Sequence, residues 1–456
     1  MSNCWLANAH PAQAWADRAW PEFARLAKAG TTIILPVHGF AATEGRGAYD
    51  QEELTGGEWL RQGAHHAGAT TSLLVLPPLR FCLAPHGAGL LGLDPDTTLQ
   101  LLREIAASVH AAGFGKLVFF NTSPCNEPVV ATAAVDARAE FGLRTYVIQA
   151  RALGFAPGAL PPDPAALALL ADLLREIAGH KRPLRKTPRR ADRPRPALPP
   201  ATTFPAYRHA YLPALSPQQL GAIPAKAQTL IILPTAAIEQ HGYHLPVGVD
   251  AVLGQALLTA ALPHLSGRMP CYLAPPITYG KSNEHTGFAG TVSLSAATLR
   301  RLLLALGTRL RDLGFRRLAV FNTHGGNSAV LQYVLPELRD TLGLDARLLR
   351  HGFKPDVAPQ EAAWGFHADE WETSLMLACA PESVHLDQAV CEYPAYLDDP
   401  GLLRPERAPA TYAWLTRDLS KSGVIGDATA ATAEKGQRWL AAAARSLADQ
   451  IVATCH

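Results

Sequence analysis

No run in this 456-residue chain approaches eighteen apolar residues, so nothing in it reads as a membrane-crossing helix. Its beginning, Met1-Ser2-Asn3-Cys4-Trp5, lacks the basic and apolar regions of a signal peptide. Cysteine is sparse: seven residues (4, 82, 125, 271, 379, 391 and 455) lie scattered, odd in number and without a C-x-x-C pair. That pattern argues against a disulfide framework or a thiolate zinc site, and the expected location is cytoplasmic. Charge is nearly balanced at +2, but the balance is uneven. Residues 181–195 hold eight Lys/Arg against the single acid Asp192, interleaved with Pro183, Pro188 and Pro194. With no aromatics among them, these residues read as an extended, solvated linker rather than a nucleic-acid-binding face.

What the chain does have is enough apolar residue, 48%, to bury two cores, and two stretches that resemble each other across that linker. Thr32-Ile33-Ile34-Leu35-Pro36 parallels Leu230-Ile231-Ile232-Leu233-Pro234 at a spacing of 198, and Pro77-Pro78-Leu79 parallels Pro275-Pro276-Ile277 at the same spacing. The run from Gly113 to Thr122 parallels that from Gly314 to Thr323 at a spacing of 201. Each is preceded by a helical stripe, Leu99, Leu102, Ile105 and Val109 in the first case, Leu299, Leu302, Leu303, Leu306 and Leu310 in the second. A tandem duplication accounts for this. It predicts domains at residues 1–180 and 205–456 joined by a linker at 181–204. Strands alternating with amphipathic helices imply α/β units with mostly parallel sheets covered on both faces.

The chemistry is concentrated in the second copy. Shortly after the apolar run ending at Leu233 comes Glu239-Gln240-His241-Gly242-Tyr243-His244-Leu245-Pro246-Val247-Gly248-Val249-Asp250. Imidazole and carboxylate are the ligands that zinc, manganese and iron accept, and Glu239 and His241, two apart, share a face of an extended chain. Leu318-Ala319-Val320-Phe321 runs into Asn322-Thr323-His324-Gly325-Gly326-Asn327, which puts His324 at a strand's C-terminal end. Further loops carry Ser282, Glu284 and His285, and then His367, Asp369, Glu370 and Glu372. In the first copy, Glu239, His241, Asp250 and His324 correspond to Ala41, Thr43, Glu52 and Ser123, and the one retained acid cannot hold a binuclear site.

These four loops, E-x-H-G-x-H-L-P-x-G-x-D, E-H-x-G-F-x-G-T, N-T-H-G-G-N and H-A-x-E-x-E-T-S, resemble the creatininase superfamily over roughly residues 225–440. Ser422-Gly423-Val424-Ile425-Gly426-Asp427 and Glu434-Lys435-Gly436 are similar to its C-terminal signature. The resemblance implies two tandem three-layer α/β/α domains. It implies Glu239, His241, Asp250 and His324 as ligands of two divalent metal ions (Zn, Mn or Fe(II)), with Asp250 bridging. One departure concerns Gly326, where creatininase proper has a ligating Glu, and Glu372 is the expected substitute. His367 takes the family's catalytic position, with a buried structural role as the alternative. Glu370 is expected to assist it, or to be a helix-start carboxylate. Ser282, Glu284 and His285 are expected to line the substrate pocket, or else to hold their own loop together.

The implied activity is hydrolysis of a C–N amide bond by a metal-activated water, with a small or cyclic amide as substrate. A peptidase or deformylase acting on a biosynthetic intermediate is the alternative within the family; a non-catalytic metal-stabilised scaffold is the one outside it. Neither nucleic acid nor membrane is expected as a partner. A homo-oligomer is expected, in which the N-terminal copy stands in for a subunit and contributes pocket residues such as Arg80 or His86.

Overall fold

The computed structural model describes residues 6, 13–26, 30–41, 47–68, 71–84, 89–156, 158–179, 208–265, 270–394, 403–405 and 410–454. The expected linker at 181–204 lies outside them, as do Thr43 and His86. The first half contains strands β1 (Thr32–Val37), β2 (Leu73–Val75), β3 (Lys116–Asn121) and β4 (Arg144–Gln149) and helices α1 (Trp20–Arg25), α2 (Gln51–Ala67), α3 (Pro95–Ala111), α4 (Glu127–Phe141) and α5 (Pro164–Gly179). The second contains β5 (Leu230–Thr235), β6 (Cys271–Leu273), β7 (Arg317–Asn322) and β8 (Asp345–Leu349). Its helices are α6 (Pro217–Gly221), α7 (Val249–Ala261), α8 (Ala296–Asp312), α9 (Ser328–Leu342), α10 (Pro359–Trp364), α11 (Glu370–Cys379), α12 (Thr416–Leu419) and α13 (Ala433–Ala453).

Each half forms one four-stranded parallel sheet, in the orders β2-β1-β3-β4 and β6-β5-β7-β8. The period-2 alternation of strands divides the first sheet's side chains between two cores. Ile34, Val118 and Phe120 pack with Trp59 of α2 and Leu170 and Leu174 of α5. Ile33, Leu35, Leu117 and Phe119 face Leu102 and Ile105 of α3 and Val130 of α4 on the other side. The second half repeats this scheme, with α8 against α9 and α7 against α13. The layered α/β architecture expected from the sequence is present in both halves.

The halves are joined by a reciprocal exchange. The segment before α1 receives hydrogen bonds from Val247 N to Arg18 O (2.8 Å) and from Gly248 N to Ala16 O (2.9 Å). At the corresponding place in the first half, Tyr49 N donates to Leu215 O (3.1 Å) and Asp50 N to Pro213 O (2.8 Å), both acceptors lying just before α6. Equivalent helices α3 and α8 pack on each other between these two arms. A residue i that meets j while the counterpart of j meets that of i is the signature of an isologous pair, here within one chain.

The sheet order also locates the site. In an open parallel sheet of this order, the strands flanking the switch of direction end in a crevice, and β5 and β7 are those strands.

Candidate metal centre and active site

The loop after β5 and the turn after β7 both open into that crevice. The turn is built by its asparagines: Asn322 Nδ2 donates to His324 O (2.6 Å) and Asn327 Nδ2 to Ala236 O (3.1 Å). The first half keeps this brace, with Asn121 Nδ2 to Ser123 O (2.7 Å) and Asn126 Nδ2 to His38 O (3.1 Å). The scaffold of the turn has therefore outlived the imidazole it carries in the other copy. Asp250 is the second residue of α7, directly behind the two amides tied to the first half.

Asp250 divides its carboxylate between two clusters. Its Oδ2 lies 3.4 Å from His324 Nδ1, which is also 3.0 Å from Glu239 Oε2. Its Oδ1 lies 3.5 Å from His241 Nε2, which is 3.7 Å from Glu372 Oε2. Glu239, Asp250 and His324 thus offer one set of donor atoms, and His241, Asp250 and Glu372 another, each set within 4.8 Å. Glu239 Oε2, His241 Nε2 and Asp250 Oδ2 are buried and find no hydrogen-bond partner beyond the imidazoles and carboxylates of this cluster. Buried polar atoms are nearly always satisfied, so three orphans aimed at one another fit a pair of N/O-ligated cations. Among the described residues, only imidazoles pair with these three carboxylates.

Electrostatics agree with that charge imbalance. Burial pulls the imidazoles down, but Glu372, Asp250 and Glu239 together raise His241 to about 10. The same opposition, with Glu239 leading the acids, holds His324 well above the usual histidine range. Burial and Asp369 push Glu372 up to about 8. A buried set in which carboxylates raise the affinity of the imidazoles for positive charge suits divalent cations on N/O donors.

Two further histidines stand beside the cluster in neutral form. His367 Nε2 donates to Gln240 O (2.8 Å), so the ring turns Nδ1 toward Glu239 Oε1, 3.8 Å away. His285 Nε2 is 3.4 Å from the same oxygen, and its Nδ1 meets Thr416 Oγ1 at 2.8 Å. Burial first, and then cationic neighbours, hold both rings well below the ordinary histidine value. Ala368, next to His367, sits at φ 50°, a left-handed conformation that a buried non-glycine adopts only under constraint. The constraint is visible: Ala368 N donates to Glu372 Oε2 (2.6 Å), and His367 bridges to Ile425 on both sides of its peptide.

The remaining expectations separate. Ser282 Oγ contacts His324 Nε2 at 3.2 Å and so holds a candidate ligand in place. Glu284 reaches into the space above Gly326, where a Cβ would collide with its Oε1, and lies 3.6 Å from His324 Nε2 while pairing with Lys281 (3.2 Å). It stands where a side chain at 326 would project. His244 supports the loop through Thr373 Oγ1 (2.8 Å). Glu370 does not join the cluster. As the first residue of α11 it turns toward α13 and pairs with Lys435, so the catalytic assistance expected of it finds no geometric support. Arg80 is likewise engaged inside the first half, with Glu53. Trp371 packs against Trp439 and His351.

Gln240 was not singled out by sequence. Its Nε2 lies 3.0 Å from His285 Nδ1 and 2.9 Å from His367 Nε2 and donates to Gly423 O (3.1 Å), its Oε1 accepts from Gly242 N (2.9 Å), and its carbonyl also holds His367. Its place between Glu239 and His241 was the available signal, because the middle residue of an extended triplet points to the opposite side.

A family model described as creatininase (creatinine amidohydrolase) matches residues 16–179 and 214–451, one match in each half. A mycofactocin precursor peptide peptidase of Mycolicibacterium smegmatis is 34% identical over 224 residues, 49% of this chain and 84% of that protein. The creatinine amidohydrolase of Pseudomonas putida is 31% identical over 249 residues, 50% of this chain and 90% of that one. The solved structure named "Creatininase Mn" is 27% identical and covers 53% of this chain and 97% of its own, with a TM-score of 0.44. The chain belongs to the creatininase family, in both of its halves.

Proposed function

We propose that this creatininase-family hydrolase cuts an amide bond in a peptide-derived substrate, using two divalent ions held in the second half. The observation that carries the metal-hydrolase reading is the split of Asp250 between two donor sets. Zinc, manganese and ferrous iron all suit these nitrogen and oxygen donors. Such ions supply Lewis acidity to a carbonyl oxygen and lower the pKa of water. Glu239, Asp250 and His324 would hold one ion and His241, Asp250 and Glu372 the other. His367 Nδ1, unprotonated and facing the cluster, accepts the proton of the attacking water and returns it to the departing nitrogen.

The peptide reading draws support from the 34% identical relative, a peptide peptidase by name. It also draws support from Gly325, exposed and with nothing within 4 Å of where its Cβ would stand, which leaves the chain beside His324 open. A small cyclic amide is the second reading, favoured by the likeness to creatinine amidohydrolase. The reciprocal exchange between halves supports a first half that takes a subunit's place in a homo-oligomer. Metal-reconstituted protein assayed on short peptides, formamides and cyclic ureides or lactams separates these readings. Turnover confined to the cyclic compounds overturns the peptide proposal.

A further inference from the structure

The half without ligands holds the loops of the other half's site in place, and the structure assigns Trp20 as the positioning residue; this rests on the second-half cluster being the catalytic site. Residues 13–26 of the first half lie across three separate site loops. Trp15 Nε1 donates to Gly290 O (2.8 Å) in the loop that carries Glu284 and His285. Ala16 O and Arg18 O take the amides of Gly248 and Val247, directly before the helix that begins with Val249 and Asp250. Trp20 Nε1 donates to Ser422 O (2.9 Å).

Trp20 reaches furthest into the chemistry. Its ring lies 5.5 Å from that of Tyr243, two residues past His241, and 5.2 Å from that of Phe288, three past His285. The carbonyl it holds belongs to Ser422, and the next carbonyl, Gly423 O, accepts from Gln240 Nε2. Gln240 in turn contacts His285 through Nε2 and His367 through both Nε2 and its carbonyl. A single indole therefore ties the loops of His241 and His285 together and anchors the peptide that orients Gln240. An aromatic with one polar edge suits this role, because the face buries area while the N–H fixes direction.

The glycines of the second half are shaped to receive the segment. A Cβ on Gly248 would meet Ala16 O at 2.8 Å, and one on Gly290 would run into the ring of Phe23, at a backbone φ of +97° that suits glycine in any case. The reception is thus written into two of the motif positions that mark the active half. Glu22 stiffens the donor side, accepting from Ala19 N (2.8 Å) and pairing with Arg18 (3.2 Å).

The test uses the full chain with Trp20→Ala and Trp20→Phe. Hydrogen exchange, metal content, kcat and KM are measured on each. In Trp20→Ala, exchange is expected to rise in residues 420–425 and 238–248 while two metal ions remain. The kcat is expected to fall about tenfold or more at little-changed KM, since misplacing a reacting group by about 1 Å costs up to roughly 10²-fold. Trp20→Phe keeps the ring and loses the N–H, so it should recover part of the kcat. Faster exchange confined to residues 13–26, with kcat unchanged, overturns the proposal, as does Trp20→Phe behaving no better than Trp20→Ala. Should the wild-type protein hydrolyse none of the amides, the hydrolase reading fails, and the exchange pattern still decides the role of Trp20.

Discussion

Glu372 Oε2 lies 3.7 Å from His241 Nε2, which brings a carboxylate from the start of α11 to an imidazole on the loop after β5. With Asp250 and His241 this carboxylate makes up one candidate donor set. Glu372→Gln is expected to retain about one ion of two, and Asp250→Ala to retain neither, because only Asp250 belongs to both sets. Elemental analysis after dialysis checks this. Full metal content in Glu372→Gln would remove Glu372 from the ligand set.

His367 separates proton transfer from metal binding. Its Nδ1 is 3.8 Å from Glu239 Oε1, close enough to the cluster that a ligand role must be distinguished experimentally. His367→Ala should keep both ions and lose about 10²–10⁴-fold in turnover, the usual contribution of a general acid–base group. The loss should be larger for poor leaving groups, whose nitrogen most needs a proton, than for activated anilides. Loss of an ion in this variant would make His367 a ligand instead.

Much of this was legible in the sequence, for physical reasons. The runs at 32–36 and 230–234 became the central strands β1 and β5, because near-continuous apolar runs suit a strand covered on both faces. Glu239, His241, Asp250, His324 and Glu372 converge because each follows or begins an element at the carboxyl edge of the sheet. Glu370, two residues before Glu372 on a helix, faces elsewhere, in this case Lys435. The reciprocal contacts of residues 13–26 and 208–221 left no mark within those two segments themselves. They are backbone hydrogen bonds to carbonyls of Ala16, Arg18, Pro213 and Leu215, and any residue type offers those. Trp20 lies outside the four motif loops, so its place beside the site follows from the fold alone.

Glu52 marks what the first half lost. It stands at the position of Asp250, buried, with its Oε2 accepting from Gly39 N (3.1 Å), and burial raises it to about 7. A carboxyl raised above its unfolded value of 4.5 holds its proton more tightly when folded. Its contribution to stability is therefore full below pH 4.5 and is lost as pH rises through 7. Glu52→Gln should match the wild-type Tm near pH 5 and exceed it near pH 8, by a stability difference on the order of 2 kcal/mol. Melting curves at the two pH values check this, and an equal difference at both would rule out ionisation as the cause.

Gly423 supplies the last test, of the bracket around Gln240. It adopts φ +93°, where a side chain costs roughly 1–2 kcal/mol, and an added Cβ would collide with Gln240 Oε1. The Gln240 side chain must then swing away, releasing its contacts with Gly423 O, His285 Nδ1 and His367 Nε2, while its backbone carbonyl still holds His367 Nε2. The donor atoms of Glu239, His241 and Asp250 lie outside this bracket, so Gly423→Ala should keep its metal and lose about ten- to a hundredfold in kcat. If the loss passes through Gln240, then Gln240→Ala introduced beside Gly423→Ala should add little to it, since both changes break the same contacts. Additive losses in that double-mutant cycle would show that Gly423 acts instead through the strain of its own backbone, and would leave Gln240 with an independent task at the two imidazoles.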